Sequence, residues 1–564
     1  MRLTFGIILL LVVAPLAAQT LAPADEAFID SIMAATYKAH EPGGVLLVAV
    51  GGKPLYRKAF GLANVELNVP NKPEYVFRVG SMSKQFTAVS MLQLAQAGKL
   101  SLGDDIRKHL PWYVTHGRTI TIANLLSHTS GIPSYTEKPD FGEKMNSGIT
   151  KRGIAEYVMN DSLLFEPGTD WSYSNSGYAI ANLVIEAVSG MPFEDYLQKN
   201  IFDVLGMRHT TVGTEAHTIG GAVNGYDKVG EGLYRPSANL NWSWPYGGGQ
   251  ILSSVDDMLA WDEALYTEKL LKKEWRAKAW TSFTLPGSLK TNYGFGWSIG
   301  AWQGLEIIAH GGAINGFLSD GVRIPSRHVY VIAFSNNTSA PPRFASEIAL
   351  RVAGKPLVRP EAVAVEAAKL KEYIGMYEVT RSGGRLITNS TTEKQYRAIS
   401  VANDTLFAQR SGSGKSALKP VGNDLFALAS PNTYAKFVRD SKNAVIACEI
   451  FQEPMTVGPI AREVKTELPL PGEKQQITLD ARTLEKYRGQ YQLVPGFVIT
   501  VTTEGERIFG QATGQPRFEL FPQSETVFFL KVVDASMEFT LNEKGDVVSA
   551  LLNQGGRRPL TKIE

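Results

Sequence analysis

Residues 79–88 read V-G-S-M-S-K-Q-F-T-A and set Ser81 and Lys84 three apart at the head of an apolar-periodic run. Phe86, Val89, Leu92 and Ala95 recur at helical spacing and Gly98 supplies a stop, so the pattern predicts a helix beginning at Ser81. One helical turn then places both side chains on one face. The unpaired N–H groups and partial positive charge of a helix N-terminus favour an alkoxide on Ser81 and offer half of an oxyanion site. Read blandly, the same residues are a polar helix start beside a solvated lysine. Ser-x-x-Lys alone does not decide, because Ser416 and Lys419 satisfy it too, in a strand-rich stretch where residues three apart point to opposite faces.

Two distant clusters weigh on the choice. Residues 165–178, F-E-P-G-T-D-W-S-Y-S-N-S-G-Y, hold Tyr173 and Asn175 two apart on a turn leading into a helix. A tyrosine serves as general base if its pKa is lowered, and an adjacent ammonium such as Lys84 is the simplest agent. Asn175 offers a donor and an acceptor, enough to hold Lys84 and a substrate carbonyl or amide. Residues 307–317, I-I-A-H-G-G-A-I-N-G-F, end a β-type run in His310, Gly311 and Gly312. Glycines there let a substrate approach the backbone closely, as an edge strand facing a cleft requires.

Working outward, an amphipathic stretch with Phe28, Ile29, Ile32 and Met33 precedes two strands joined at Gly51-Gly52, and strand patterns return at Y-G-F-G-W-S-I-G and H-V-Y-V-I-A-F-S. Helical stretches around 151–160 and 177–198 lie between. Strands at both ends of a mostly helical middle predict one mixed α/β domain over 19–355. After a proline-punctuated linker the texture changes to short alternating strands. L-x-x-Y-x-G-x-Y occurs at 370–377 and again at 484–491, each copy succeeded by a similar strand series, which predicts two small β-barrels over 366–462 and 476–564.

Composition narrows the function classes. A chain of 564 residues exceeds what one core sustains. Lys plus Arg at 57 against Asp plus Glu at 55 leaves +2, no general field for nucleic acid or an acidic membrane. Residues 1–18 have the layout of a secretory signal cleaved near Ala17 or Ala18, and the apolar run is too short to span a bilayer. A secreted or periplasmic protein is expected, with no membrane span left after cleavage. Cys448 is the single cysteine, so no intramolecular disulfide forms and a buried strand position is expected for it. The eight histidines show no metal-binding spacing. Gly296-Trp297-Ser298-Ile299-Gly300 fits a nucleophile elbow, but the residues after Gly300 read as a turn and a strand, where an elbow needs a helix.

Taken in order, Ser81-x-x-Lys84, Tyr173-x-Asn175 and His310-Gly311-Gly312 resemble the three motifs of the penicillin-recognising serine hydrolases, in the branch of class C β-lactamases, DD-carboxypeptidases, D-aminopeptidases and esterases. L-L-S-H-T-S-G-I at 125–132 and Y-G-G-G-Q-I-L-S-S-V-D-D-M at 246–258 are similar to further stretches of that branch. The resemblance implies an antiparallel sheet flanked by a helical region, succeeded here by two lipocalin-like barrels, a loop of which restricts the cleft in some relatives. It implies Ser81 as nucleophile, Lys84 easing its deprotonation and shuttling the proton, Tyr173 as base, and an oxyanion site from the N–H groups of Ser81 and Ala313, beside Gly311 and Gly312. Which of Lys84 and Tyr173 takes the first proton stays open. His310 stands where class C β-lactamases usually carry a permanently charged lysine, and a histidine suits a substrate carboxylate less. The expected function is a secreted serine hydrolase acting through an acyl-enzyme on a small peptide, amide or ester, of D-aminopeptidase or DD-carboxypeptidase type, with neither cofactor nor metal. An esterase, a weak β-lactamase and a non-catalytic peptidoglycan-peptide or penicillin binder are the alternatives. Oligomeric state is open.

Overall fold

The computed structural model describes residues 20–563 apart from 341, 343, 359, 383–394, 430–432, 453–460, 473 and 495–496. The expected signal at 1–18 lies outside the described residues. In chain order the first unit contains α1 (Pro23–Thr36), β1 (Gly44–Val50), β2 (Lys53–Phe60), α2 (Ser83–Gln96), α3 (Asn175–Ser189), β3 (Ser298–Trp302), β4 (Leu305–Ile314), β5 (Phe317–Ile324), β6 (Val329–Ser335) and α4 (Ala345–Val352). The six strands form one antiparallel sheet in the order β3-β4-β5-β6-β1-β2. Gly44↔Ser335 through Val50↔Val329 pairs β1 with β6 and closes the two ends of the unit on each other.

Both faces of this sheet are covered, which explains why β1 reads G-V-L-L-V-A-V with no polar alternation. Val45 and Leu47 pack into the core shared with α2 and α3; Leu46 and Val48 pack into the core shared with α1 and α4. Each fully buried side chain of this size contributes about 1.5–3 kcal/mol of hydrophobic stabilisation. Helix α2 is buried on all sides, its polar Ser83, Lys84, Gln85, Thr87 and Ser90 included. A polar helix buried all round must find partners for those groups, and that need builds the site below. The predicted helix start is shifted: Gly80–Met82 form a single 3-10 turn and the α-helix begins at Ser83. Gly80 causes the shift, because its φ of +52° lies outside the helical region. Gly98, at φ +71°, ends the helix as expected. Ser298 opens β3 opposite Ala309, so no strand-to-helix elbow exists there.

Beyond the first unit, eight strands from Gly375–Ser382 to Ala461–Lys465 close one barrel, and eight from Gly489–Val494 to Arg557–Lys562 close another. The closing strand carries the first barrel past residue 462, to Lys465, because Tyr377 pairs with Lys465. The repeated motif has a physical cause. Its glycines, Gly375 and Gly489, sit at φ of 150° and 145°, a region open to glycine. In each copy the second tyrosine hydroxyl donates to the carbonyl of the first, Tyr377 to Tyr373 at 2.7 Å and Tyr491 to Tyr487 at 2.8 Å. Cys448 is buried in the first barrel, and burial pushes its thiol pKa up, away from reactivity. Ser416 opens a barrel strand, far in sequence from any of the three clusters.

Candidate active site

The turn that carries Ser81 is wedged against β4. A Cβ on Gly80 would stand 2.9 Å from the Ala313 nitrogen, and one on Gly312 would stand 2.0 Å from the Val79 carbonyl oxygen. Two glycines on different segments thus let the backbones of the turn and the strand touch. Val79 is tied twice more: its N–H donates to Ile251 at 3.0 Å and its carbonyl accepts from the Ser319 hydroxyl at 2.8 Å. The consequence is that Ser81 and Ala313 flank one small space.

Lys84 reaches into that space from α2 and is fully buried. Its Nζ lies 3.1 Å from Ser81 Oγ, 2.8 Å from Asn175 Oδ1 and 2.8 Å from the Gly248 carbonyl oxygen. Room for that contact depends on Gly248, where a Cβ would come 3.2 Å from Nζ. No carboxylate lies within ion-pair distance of Lys84 among the described residues, and burial pulls its pKa well below the ordinary lysine value. Asn175 is the first residue of α3, behind the cap Ser174, whose hydroxyl accepts from the Gly177 N–H. Its amide is oriented by a bond from Nδ2 to Thr136 at 3.2 Å, and its backbone N–H donates to Ser134 at 3.1 Å. Tyr173 lies with its ring centroid 4.8 Å from Lys84 Nζ and its hydroxyl facing Ser81. Burial raises the phenol pKa, a rise that the hydrogen bond to Ser81 opposes. The expected lowering of Tyr173 by a charged Lys84 is therefore reversed, since burial penalises the phenolate and the ammonium alike.

Among the described residues, strand β4 has a free edge where the motif lies. Ile314 and Phe317 close the Asn315-Gly316 turn, so alternation along an antiparallel ladder turns Gly312 and His310 toward β5 and the odd-numbered residues toward β3. β3 stops opposite Ala309, leaving Gly311 and Ala313 to continue the odd series, both exposed. The Ala313 N–H and C=O and the Gly311 N–H face the cleft, while the Gly311 carbonyl is taken by His310. His310 is buried: its Nδ1 is 2.5 Å from the Gly311 carbonyl oxygen and so carries the proton, while Nε2 accepts from the Tyr293 hydroxyl at 2.9 Å. Burial, and then the nearby Lys84, hold its pKa down to about 3. The side chain expected to replace the family's lysine is thus neutral at physiological pH.

Two groups of the site carried no signal of their own in the sequence, although both lie in stretches that resemble the family. Gly248, in Y-G-G-G-Q-I, is one; His128, in L-L-S-H-T-S-G-I, is the other. At φ +61° His128 bends its loop so that its carbonyl accepts from Ser172 at 3.0 Å and its Nδ1 accepts from the Ser174 N–H at 3.1 Å. That pair of bonds clamps the segment on either side of Tyr173. The imidazole lies 4.3 Å from the Tyr173 ring, and burial keeps it neutral by lowering its pKa well below the ordinary value. A histidine before Thr and Ser in an apolar segment has no spacing that ties it to Tyr173. Among the described residues no group of three or more His, Cys, Asp and Glu side chains is placed to hold a metal ion, and no helix is long and apolar enough to cross a membrane.

Comparison with known proteins covers both parts of the chain. The Beta-lactamase family model matches residues 26–354, and a Domain of unknown function (DUF3471) matches residues 473–559, the second barrel. Penicillin-binding protein 4* of Bacillus subtilis (strain 168) is 26% identical over 520 residues, which is 89% of this chain and 91% of that protein. Among solved structures, the octameric penicillin-binding protein homologue from Pyrococcus abyssi superposes with a TM-score of 0.53 at 25% identity, covering 78% of this chain and 99% of its own. A D-stereospecific amidohydrolase from Streptomyces superposes with a TM-score of 0.50 at 27% identity, covering 57% and 98%.

Proposed function

The chain belongs to the beta-lactamase family as one of its serine hydrolases, and from that premise we propose that it acts outside the cytoplasm, through an acyl-enzyme on Ser81, on peptides and amides built from D-amino acids. The observation that carries this reading is the trio of oxygens around Lys84 Nζ. A neutral amine has two N–H groups and one lone pair. The two acceptors at 2.8 Å, Asn175 Oδ1 and the Gly248 carbonyl, take the N–H groups and leave the lone pair to the Ser81 hydroxyl. Burial supports the neutral amine, so Lys84 takes the first proton as Oγ attacks the scissile carbonyl carbon.

The resulting oxyanion meets the N–H groups of Ser81 and Ala313; one donor of this kind is worth about 2.7–4 kcal/mol in the transition state. Tyr173, a neutral phenol facing Ser81, gives its proton to the leaving nitrogen or oxygen as that bond breaks, and the Lys84 ammonium restores it. Water then attacks the ester carbonyl while its proton passes to Lys84 and on to the departing Ser81 Oγ. His310 and His128 stay outside the proton transfers. His310 fixes the Gly311 end of the edge, and His128 fixes Tyr173.

The substrate class is supported by two similarities, to a penicillin-binding protein and to a D-stereospecific amidohydrolase. A neutral His310 also fits the amide members of that class, since it offers no cation to a carboxylate on the leaving side. Residues 1–18 are the proposed export signal. A fluorophosphonate should add once to the full-length protein by intact mass and not to Ser81→Ala. An adduct that persists in Ser81→Ala, or none on active protein, sinks the acyl-enzyme. In a panel of D-amino acid anilides, D-Ala-D-Ala peptides, p-nitrophenyl esters and a chromogenic cephalosporin, fastest turnover of the cephalosporin overturns the substrate class.

A further inference from the structure

Three residues before Ser81 stands a cation that this chemistry does not use. Arg78 ends the short strand Phe77–Arg78, with its guanidinium 3.9 Å from the Trp242 ring centroid. Its Nε and Nη2 are buried and have no hydrogen-bond partner among the described residues. Arg397 of the first barrel gives the same two atoms to Glu463 at 2.7 and 2.9 Å. Glu215, the nearby carboxylate, accepts instead from the Trp242 N–H at 3.2 Å. Burial lowers Arg78 to about 10, with Glu215 opposing, so it remains charged at neutral pH. A half-buried guanidinium with two shielded, unpaired donors and only a through-space anion, Glu215, is a cost to the fold, which a ligand's charge would offset.

Arg78 lines a cavity of about 490 Å³ together with Trp242, Thr214, Ser237, Asn315 and Phe317. The exposed His217 also borders it. Asn315 begins the turn two residues beyond Ala313, and Gly80 touches Ala313, so the β4–β5 turn links the cavity lining to the strand that flanks the nucleophile.

The free edge of β4 says which part of a substrate arrives there. Ala313 presents both its N–H and its C=O to the cleft. A residue that exchanges both hydrogen bonds with Ala313 must run antiparallel to β4. With its carbonyl on the Ala313 N–H, the leaving group then points toward His310 and the acyl portion toward Asn315 and the cavity.

We propose that the Arg78 cavity is the acyl-side subsite and that it takes an acidic group carried by the acyl donor. Nη1, with Nε and Nη2 shielded, meets the carboxylate end-on, and the cavity's hydroxyl and amide groups share the rest of its hydrogen bonding. The preferred donor is accordingly an N-acylated D-amino acid whose acyl group bears a carboxylate.

This inference rests on the serine-hydrolase reading above, and the test separates the two. N-succinyl-D-alanine p-nitrophenyl ester is compared with its neutral N-succinamyl counterpart in full-length protein. The expected kcat/KM ratio is about tenfold or more in favour of the succinyl ester, the scale of one hydrogen bond to a charged group. Arg78→Gln brings that ratio to about one, Arg78→Lys leaves it above one, and added salt lowers it in the unmutated protein. A ratio near one in the unmutated protein overturns the subsite without recourse to any variant. A high ratio that survives Arg78→Gln overturns the role of Arg78. Turnover that persists in Ser81→Ala, or no turnover of either ester, overturns the hydrolase reading and the subsite with it.

Discussion

Two buried cations in two regions of the molecule have been handled in opposite ways. In the first barrel Arg397 faces Glu463 through two hydrogen bonds, 2.7 and 2.9 Å long, with Glu463 fully buried. Burial alone lowers Arg397, but the charge and hydrogen bonds of Glu463 outweigh it and hold the guanidinium above its ordinary value. In the cleft, Lys84 is as deeply buried, yet its neighbours are an amide oxygen, a carbonyl and a hydroxyl, and its pKa falls. A cation matched by a carboxylate is locked in its charged form and structural. A cation given neutral acceptors can lose its proton, which is what a base requires.

The second barrel sharpens the contrast. By register, Arg397 opposite Tyr377 corresponds to Ile499 opposite Tyr491, and Glu463 opposite Cys448 corresponds to Leu560 opposite Ala550. One copy of the repeat uses an ion pair where the other uses two aliphatic side chains, and both barrels close. The pair is therefore dispensable to the architecture, whereas the proposed chemistry depends on the Lys84 cluster.

The largest effect is expected in the cleft: Ser81→Ala should lower kcat by about 10⁶-fold, the loss typical of removing a serine nucleophile, measured on any ester the protein turns over. Next, Glu463→Leu strands Arg397 without its partner and should cost the first barrel about 3–5 kcal/mol. Arg397→Ile with Glu463→Leu, which copies the second barrel, should recover that loss or exceed it. Hydrogen exchange resolved by barrel reads both, and a double variant as unstable as the single would show that the two barrels are not equivalent. Gly312→Ala forces a Cβ toward the Val79 carbonyl and should separate Ala313 from Ser81, with a fall of about 10²–10³ in kcat. An unchanged kcat would remove Ala313 from the oxyanion site.

The smallest effect on stability concerns Lys84 itself, where pH acts on activity and on stability with separate signs. Protonation removes the base, so kcat/KM should rise with pH through the lowered Lys84 pKa and level off above it. For stability, the unfolded chain binds the proton more tightly, so Lys84 is a liability below its folded pKa, relieved as pH climbs toward 10.5. Lys84→Met should therefore be inactive yet melt higher at neutral pH, by about 2–4 °C per kcal/mol relieved, with the gain shrinking at alkaline pH. A variant that melts lower at neutral pH would show that the ammonium, held by three acceptors, is the resting form.

Much of this protein is set by short-range pattern. Helical spacing after Ser81, the continuous apolar run of β1 and the repeated L-x-x-Y-x-G-x-Y each express one element's own geometry, so the order of strands and helices and the two barrels were readable in the chain. Ser81, Lys84, Tyr173, Asn175 and His310 were likewise readable as candidates, through motifs that name residue types. What the chain did not reveal is the protonation of those groups. Desolvation and hydrogen bonding are summed over atoms from distant segments: Gly248 beside Lys84, His128 beside Tyr173, Tyr293 beside His310. The pKa of Tyr173 rises instead of falling, and His310 is neutral, because burial is a property of the packed interior and of no single motif. The sequence by itself determined which residue types make up the three motifs; the tertiary structure decided how burial and hydrogen bonding shift their proton affinities, because both are summed over distant segments.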